Sequence, residues 1–434
     1  MDNTFQIILM GVFLLAALAG VVIFASPGLL PGGSERPPVS FTAWGEWEAE
    51  TFEQLLDATG IAGDDNVTIS YRSVAPDQFE AQLVNALARG QGPDVVLIPH
   101  TKLLPLLDLI TVIGEDFFPA RQFRDSFVEG SEIFLSNQGV YALPVAVDPL
   151  VMYWNRDILT EAGYTTPPVT WDDVATYVPS ITNSDNTGNI STAGIGLGTA
   201  DNIFYIKEIL SSLFLQINNG IVGQFLDGEL VSVLSEASAG NKSAASAVSL
   251  YTQYANPDTS VYTWNNSFNS AEEAFTAGNL ALYLGMSSDI QRLRQRNPNL
   301  NFDVAILPQL SEGSSRVHGL FYGFAIINQA SNKAGILTIL QELTSLDAQQ
   351  AIATQTNFTP IHKGVLASGA RDAYKQVFFQ SAIITRAWLD PDPAATREIF
   401  ADIIRDVTGG RRNAAASIQA ADTAINNLLR RFNR

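Results

Sequence analysis

Apolar residues fall along this chain in short runs separated by stretches with helical spacing. Positions 39–43 read as an apolar strand, 48–58 as a helix and 67–71 as a second strand. Positions 76–88 place Phe79, Leu83, Val84 and Leu87 at helical intervals. The run 94–98, DVVLI, is continuously apolar after Asp94 and suits a buried parallel strand. Strand, helix, strand, helix, strand predicts an open α/β sheet with helices on its faces. Further strands are expected at 279–284, 302–307 and 322–327, and the chain from about 370 onward is predicted to be nearly all helical. No internal repeat of fixed period is present.

One apolar run stands apart from this pattern. Residues 7–25, IILMGVFLLAALAGVVIFA, carry no charge and at about 1.5 Å per residue span roughly 28 Å, close to the hydrocarbon thickness of a bilayer. A secretory signal would have a basic start and a small-x-small cleavage site beyond the apolar core. Here the first six residues contain Asp2 and no Lys or Arg, and Ala17-Leu18-Ala19 lies inside the run. An uncleaved transmembrane helix at 1–25 is therefore expected, with a cleaved signal as the competing reading. Residues 26–38 hold four prolines and three glycines and read as a stalk.

Composition narrows the chemistry. A chain of 434 residues is long enough for two or three domains, and 46% apolar content argues that they fold. The net charge of −19 repels phosphate backbones, so nucleic acid is not an expected partner. The absence of cysteine removes disulfides, thiol nucleophiles and thiolate metal sites. The three histidines, His100, His318 and His362, are far apart and match no zinc spacing, and no cofactor is expected. Neither the GxSxG nor the GxxxxGK[ST] signature occurs. Gly194, Gly196 and Gly198 read as part of a flexible loop. Ligands of open α/β sheets sit at the carboxyl ends of the strands. The first strand ends in Trp44, Gly45, Glu46 and Trp47, and the third in Pro99, His100 and Thr101. Indole faces beside a carboxylate suit a neutral polyhydroxylated ligand. The competing assignment is that Trp44 packs the core and Glu46 caps the following helix.

An ordered series of motifs carries a family resemblance. It opens with FTAWGEWEAETFEQLLDATG and continues with DQFEAQLVNALARGQGPDVVLIPH, NQGVYALPVAVDPLVMYWNRDIL and PPVTWDDV. SAEEAFTAGNLALYLG, FDVAILPQL and GLFYGFAIINQASNK complete it. In this order they resemble the extracellular solute-binding proteins of ABC importers, in the branch that includes maltose-binding protein. The resemblance implies an α/β, two-lobed periplasmic-binding-protein-like fold of type II, each lobe an open sheet flanked by helices. It places one lobe at 39–145 with 319–356 and the other at 150–307 with 364–434. Crossings are then expected near 146–149, 308–316 and 357–363. The implied protein is no enzyme. It is a monomer on the extracytoplasmic side of the cell membrane, held by its N-terminal helix, passing a small solute to permease subunits. A carbohydrate is the favoured solute. A sensing or adhesion receptor ectodomain on the same fold is the alternative.

Matched motif by motif, the resemblance assigns ligand contacts. Asp148 ranks first, in the segment where the family carries a ligand-contacting carboxylate. Glu46 and Trp47 come from the first loop, with His100 and Thr101 opposite. Asn202 and Phe204 would contribute from the second lobe. Ser287 stands where sugar-binding relatives place an aromatic, and Phe321 with Tyr322 is expected to supply a platform instead. Trp388 and Arg397 complete the expected set.

Overall fold

The computed structural model describes residues 36–224, 228–236 and 243–433. The expected helix at 1–25 and the stalk up to residue 35 lie outside the described residues. Among the described residues, no helix is long and apolar enough to cross a membrane.

The first strands form as their apolar runs require. Strands β1 (Val39–Gly45), β2 (Val67–Ser73) and β3 (Val95–Pro99) are parallel, in the order β2-β1-β3. All five residues of β3 are buried, as a strand covered on both faces must be. Helix α1 (Ala49–Ala58) buries Phe52 and Leu55, and α2 (Phe79–Ala88) buries Phe79, Leu83 and Leu87. Val84, expected on the same apolar face, is exposed. Just after α2, Gly90 takes φ +66°, and Gly92 lies so close to Leu87 that a Cβ would come within 2.3 Å of its Cδ2. Gly90 therefore needs glycine's conformational freedom, and a side chain at Gly92 would require Leu87 to move.

Strand β4 (Leu143–Asn155) is 13 residues long and buried throughout. The remaining strands of its sheet are β5 (Asn183–Ser184), β6 (Ile190–Ile195), β7 (Leu280–Met286), β8 (Phe302–Ile306), β9 (Val317–Ile326) and β10 (Thr385–Arg386). The path runs β2-β1-β3-β9-β4-β7-β6-β5, with β8 also on β4 and β10 on β9. Up to Pro149, β4 pairs with β9; from Leu150 onward it pairs with β7 and, from Val151, with β8. Proline has no backbone N–H to offer a ladder, and it stands where the strand changes partners. Two features depart from the sequence pattern. Strand β9 begins five residues before the expected 322, and part of the glycine-rich stretch read as a flexible loop is β6.

Two apolar cores result. Apart from Leu104, the first draws on the chain up to Val147 and again from Phe321 to Leu366, with Phe379 and Ala382. The second draws on Leu150 to Val317, then on Phe378 and on Trp388 to Leu429. Strands β4 and β9 pass between the two cores. Helix α6 (Ala373–Ile384) is the third passage, with Phe378 in one core and Phe379 in the other. This is later than 357–363, because Ile361, Val365 and Leu366 still pack into the first core. Beyond β10, the helices Pro393–Thr408 and Ala414–Leu429 cover the second core, in line with the helical pattern of this region.

Candidate functional site

The carboxyl ends of β1 and β3 meet the two crossing strands where the cores adjoin. β1 ends at Gly45, where a Cβ would lie 2.6 Å from Tyr71 Oη and 2.9 Å from Leu97 Cβ, so the close packing favours glycine. The Tyr71 hydroxyl donates to the Trp47 carbonyl at 2.9 Å, which fixes the turn. Trp47 is buried, its ring stacked on Phe358 at 4.4 Å and 11° and set edgewise to Tyr322 at 5.7 Å. Tyr322 and Phe358 are 5.1 Å apart, closing a three-ring cluster. Such pairs contribute about 0.5–1.5 kcal/mol each beyond burial. The Trp47 Nε1–H is buried without a hydrogen-bond partner.

Charge accompanies the rings. Glu46 pairs with Lys102 at 3.3 Å, and Lys102 also donates to the Pro76 carbonyl at 2.9 Å. Burial pushes the Glu46 carboxyl above its ordinary range, and the adjacent ammonium pulls it back. Glu46 does not cap α1: the N-cap position is Glu48, with no side-chain cap bond. In β4, Asp148 is buried and takes three bonds: from the Ser287 hydroxyl at 2.7 Å, the Ser288 N–H at 3.0 Å and the Ser288 hydroxyl at 2.6 Å. Burial raises its pKa, and these donors oppose the rise.

Along β9 from Tyr322 lies a second polar group. The His100 and His318 rings are 5.9 Å apart, and both side chains are buried. His100 Nδ1 accepts the Phe321 N–H at 3.2 Å, so the ring is neutral with its proton on Nε2, which has no partner. Burial holds His100 well below the usual histidine range, aided by His318 and the Lys207 cation. Burial and Lys207 likewise push His318 down to about 3. Lys207, on helix α3 (Ile206–Gln216), is paired with Asp390 at 2.7 Å. Asp390 in turn accepts from Thr396 Oγ1 at 2.9 Å.

Two α/β cores are thus joined by crossing strands, with aromatic rings and carboxylates at the junction. Residues 49–378 match the profile of the bacterial extracellular solute-binding protein family. The chain belongs to that family. A Brucella abortus (strain 2308) protein described as a binding protein is 22% identical over 355 residues, covering 80% of each chain. In fold, this solute-binding protein is similar to a cyclo/maltodextrin-binding protein complexed with maltotetraose, with a TM-score of 0.74, 15% identity and coverage of 92% of this chain and 100% of the other. A cyclic alpha-maltosyl-1,6-maltose binding protein from Arthrobacter globiformis gives 0.72, 16% identity and 91% and 100% coverage. The sugar-binding protein MalE from Xanthomonas citri gives 0.69, 19% identity and 91% and 98% coverage. At such identities the likeness is one of fold.

The junction gathers part of the expected contact set of this solute-binding protein. Glu46, Trp47, His100, Asp148, Ser287 and Tyr322 stand around it. Thr101 is buried in the turn that also carries His100 and Lys102. Phe321 and Tyr322 do not form one platform, because successive strand residues face opposite ways. Phe321 turns to the far side, where its ring would lie 2.4 Å from a Cβ at Gly130. Asn202 is committed within the second lobe: it accepts from Trp264 Nε1 at 3.0 Å and donates to the carbonyls of Asn265 and Phe268 at 3.0 Å each. Phe204 is 64% exposed, with the Arg397 guanidinium 5.6 Å from its ring. Trp388 is buried, donating to Ser211 Oγ at 3.2 Å with Lys207 5.9 Å from its ring. Trp44 packs into the first core beneath Arg72, as its structural assignment requires. Sequence reasoning did not assign Lys102, Lys207, Ser288, Phe358 or Asp390 to the site, and named His318 only as one of three separated histidines. Lys102 and Ser288 left a sequence signal, since each directly follows a singled-out residue, Thr101 and Ser287.

Proposed function

We propose that this protein is the binding component of an ABC importer and that it captures a carbohydrate between its two lobes. On this reading it is a monomer tethered on the extracytoplasmic face by its N-terminal apolar segment. The observation that carries the reading is the junction itself: Trp47 and Tyr322 beside the carboxylates of Glu46 and Asp148, on or next to strands that serve both cores. Ring faces stack on the C–H surface of a sugar, while ionised carboxylates accept hydrogen bonds from its hydroxyls. Lobes joined by a few strand crossings rotate about them, so closing on a ligand excludes water and presents a changed surface to a permease. Similar folds have been seen bound to maltotetraose, alpha-D-tagatose and mannobiose, which supports the choice of ligand class.

The test is calorimetry of the purified protein against mono- and oligosaccharides, with polyols, amino acids and polyamines alongside, followed by solution scattering at saturation. A sugar is expected to bind and to reduce the radius of gyration without altering helix content. A ligand at 100 times its Kd would also stabilise the fold by about 2.7 kcal/mol. Binding confined to the amino acids or polyamines would refute the carbohydrate assignment. Binding with an unchanged scattering curve would refute closure. For the tether, mass spectrometry of the native protein is expected to find residues 1–25 retained; a mature N-terminus near Ser26 would overturn it.

A further inference from the structure

The rings and carboxylate that would read a sugar are already engaged by the chain's own groups. Phe358 lies on one face of Trp47 at 4.4 Å and 11°, the near-parallel contact that the C–H face of a sugar would make. The two oxygens of Asp148 are filled by the Ser287 hydroxyl and by the hydroxyl and N–H of Ser288, where sugar hydroxyls would donate. Both halves of a polyol site are therefore satisfied internally.

The Phe358 ring is placed to move. It follows helix α5 (Leu346–Gln355) in a non-helical stretch and is only half-buried. Its neighbour Thr359 is fixed to the edge of β4 by two backbone hydrogen bonds with Val147, at 2.9 and 3.1 Å. On the other side, the Asn357 side chain accepts from Gln291 at the start of the helix Ile290–Arg296 in the second lobe. The segment thus touches both lobes and the crossing strand. Next to the ring is a cavity of about 180 Å³, lined by Phe358 itself together with Arg294, Tyr374 and Phe378. A protein cavity of about 150 Å³ holds a benzene molecule. The Arg294 guanidinium, 4.6 Å from the Tyr374 ring, offers a cation to a second ring entering there.

We propose that Phe358 is a ligand-displaced plug: its ring covers the Trp47 platform until a sugar takes that face, and the ring then turns into the adjoining cavity. The inference rests on the carbohydrate reading above and adds to it the residue that sets how readily the platform is released. A ligand must break the Phe358–Trp47 contact before it can stack, so part of its binding free energy is spent on the exchange.

The test compares wild type with Phe358→Ala and Phe358→Leu, using maltotetraose, mannobiose and tagatose as probes in calorimetry, with thermal melts to establish that each variant is folded. Phe358→Ala is expected to tighten binding by about two- to twelvefold, equivalent to 0.5–1.5 kcal/mol at about 1.4 kcal/mol per decade. Phe358→Leu, which keeps bulk but cannot stack, is expected to shift in the same direction by less, and it carries the comparison if the alanine variant fails to fold. Acrylamide quenching without ligand is expected to rise in Phe358→Ala and not in Phe358→Ala combined with Trp47→Phe. Weaker or unchanged binding by both variants, with wild type binding normally, overturns the plug: Phe358 is then part of the ligand platform or a bystander. Absence of binding by wild type and variants alike sinks the carbohydrate reading, and the plug with it.

Discussion

Replacing Asp148 separates what its charge contributes from what its shape contributes. In Asp148→Ala, three donors lose their acceptor: the hydroxyls of Ser287 and Ser288 and the Ser288 N–H. A buried polar group left unsatisfied costs about 1–3 kcal/mol. The Ser287 hydroxyl has an alternative in Thr359 Oγ1, 3.4 Å away, whereas the backbone N–H has little freedom to turn. A loss of about 2–4 kcal/mol is expected. Asp148→Asn keeps one oxygen for Ser287 and the Ser288 N–H, and the Ser288 hydroxyl can rotate to accept from the new amide. It also relieves the burial that is the largest cause of the raised Asp148 pKa. These effects oppose each other, and the Asn variant should stay within about 1 kcal/mol of wild type. The pH dependence has a definite sign. A carboxyl raised in the folded state contributes stability that is present below the ordinary value of 3.8 and lost as pH rises through its folded pKa. Wild type should therefore gain on Asp148→Asn as pH falls from 7 toward 3.8. Urea melts of the three proteins at both ends of this range measure this. An Asn variant as damaged as the Ala variant, or an Ala loss below 1 kcal/mol, would refute the view that hydrogen-bond satisfaction is what holds this residue.

Two further outcomes follow from the junction. His318, pushed down to about 3 from an ordinary 6.5, stays neutral when folded, so its stability is present above pH 6.5 and is lost as pH falls toward 3. Asp289, pushed up to about 7 by burial, works in the opposite direction, so wild type must be compared with His318→Gln. The wild-type advantage at pH 7.5 should shrink by about 2–3 kcal/mol at pH 4.5 in thermal or urea melts, and a flat difference would count against a neutral buried ring. At the far side of the junction, a Cβ on Gly130 would lie 2.3 Å from the Thr385 carbonyl oxygen, beside the Arg386–Glu129 ion pair. Gly130→Ala should lower stability by about 1–3 kcal/mol, and a neutral melt would mean that β10 can shift aside.

The parts of the fold that were legible are those where one period repeats without interruption. The run at 94–98 could be read as a buried strand because every position after Asp94 is apolar, and α1 and α2 because their apolar residues recur at helical intervals. Strand β4 was visible only as a family motif. Its 13 residues serve two cores, are buried on both faces and include Pro144, Asp148 and Pro149, so neither alternation nor an unbroken apolar run marks it. The site divides in the same way. Glu46, Trp47 and His100 follow strands that sequence could place. Phe358, Lys207 and His318 are far from them in sequence, and only the return of the chain through β9 and the 356–359 segment, with α3 packed nearby, brings them in. A lone Phe in TNFTP or a Lys within an apolar helix gives no local sign of such a meeting.

On the proposed reading, position along the crossing strands lets recognition and closure share residues. Tyr322 lies at a register shift in the pairing of β9 with β4, where the ladder is broken between Tyr322 and Gly323. Such a break bends the strand and re-aims its side chain. Asp148 occupies the last position before Pro149, where β4 leaves its first partner for its second. On the proposed reading, a ligand held by the Tyr322 ring and the Asp148 oxygens would act at an irregularity of one crossing strand and at the partner change of the other. If the lobes rotate as proposed, these points would absorb the motion, since elsewhere each strand is held by a continuous ladder. Contacts made there would then bias the angle between the lobes directly, with no chain of intervening side chains needed to carry the signal.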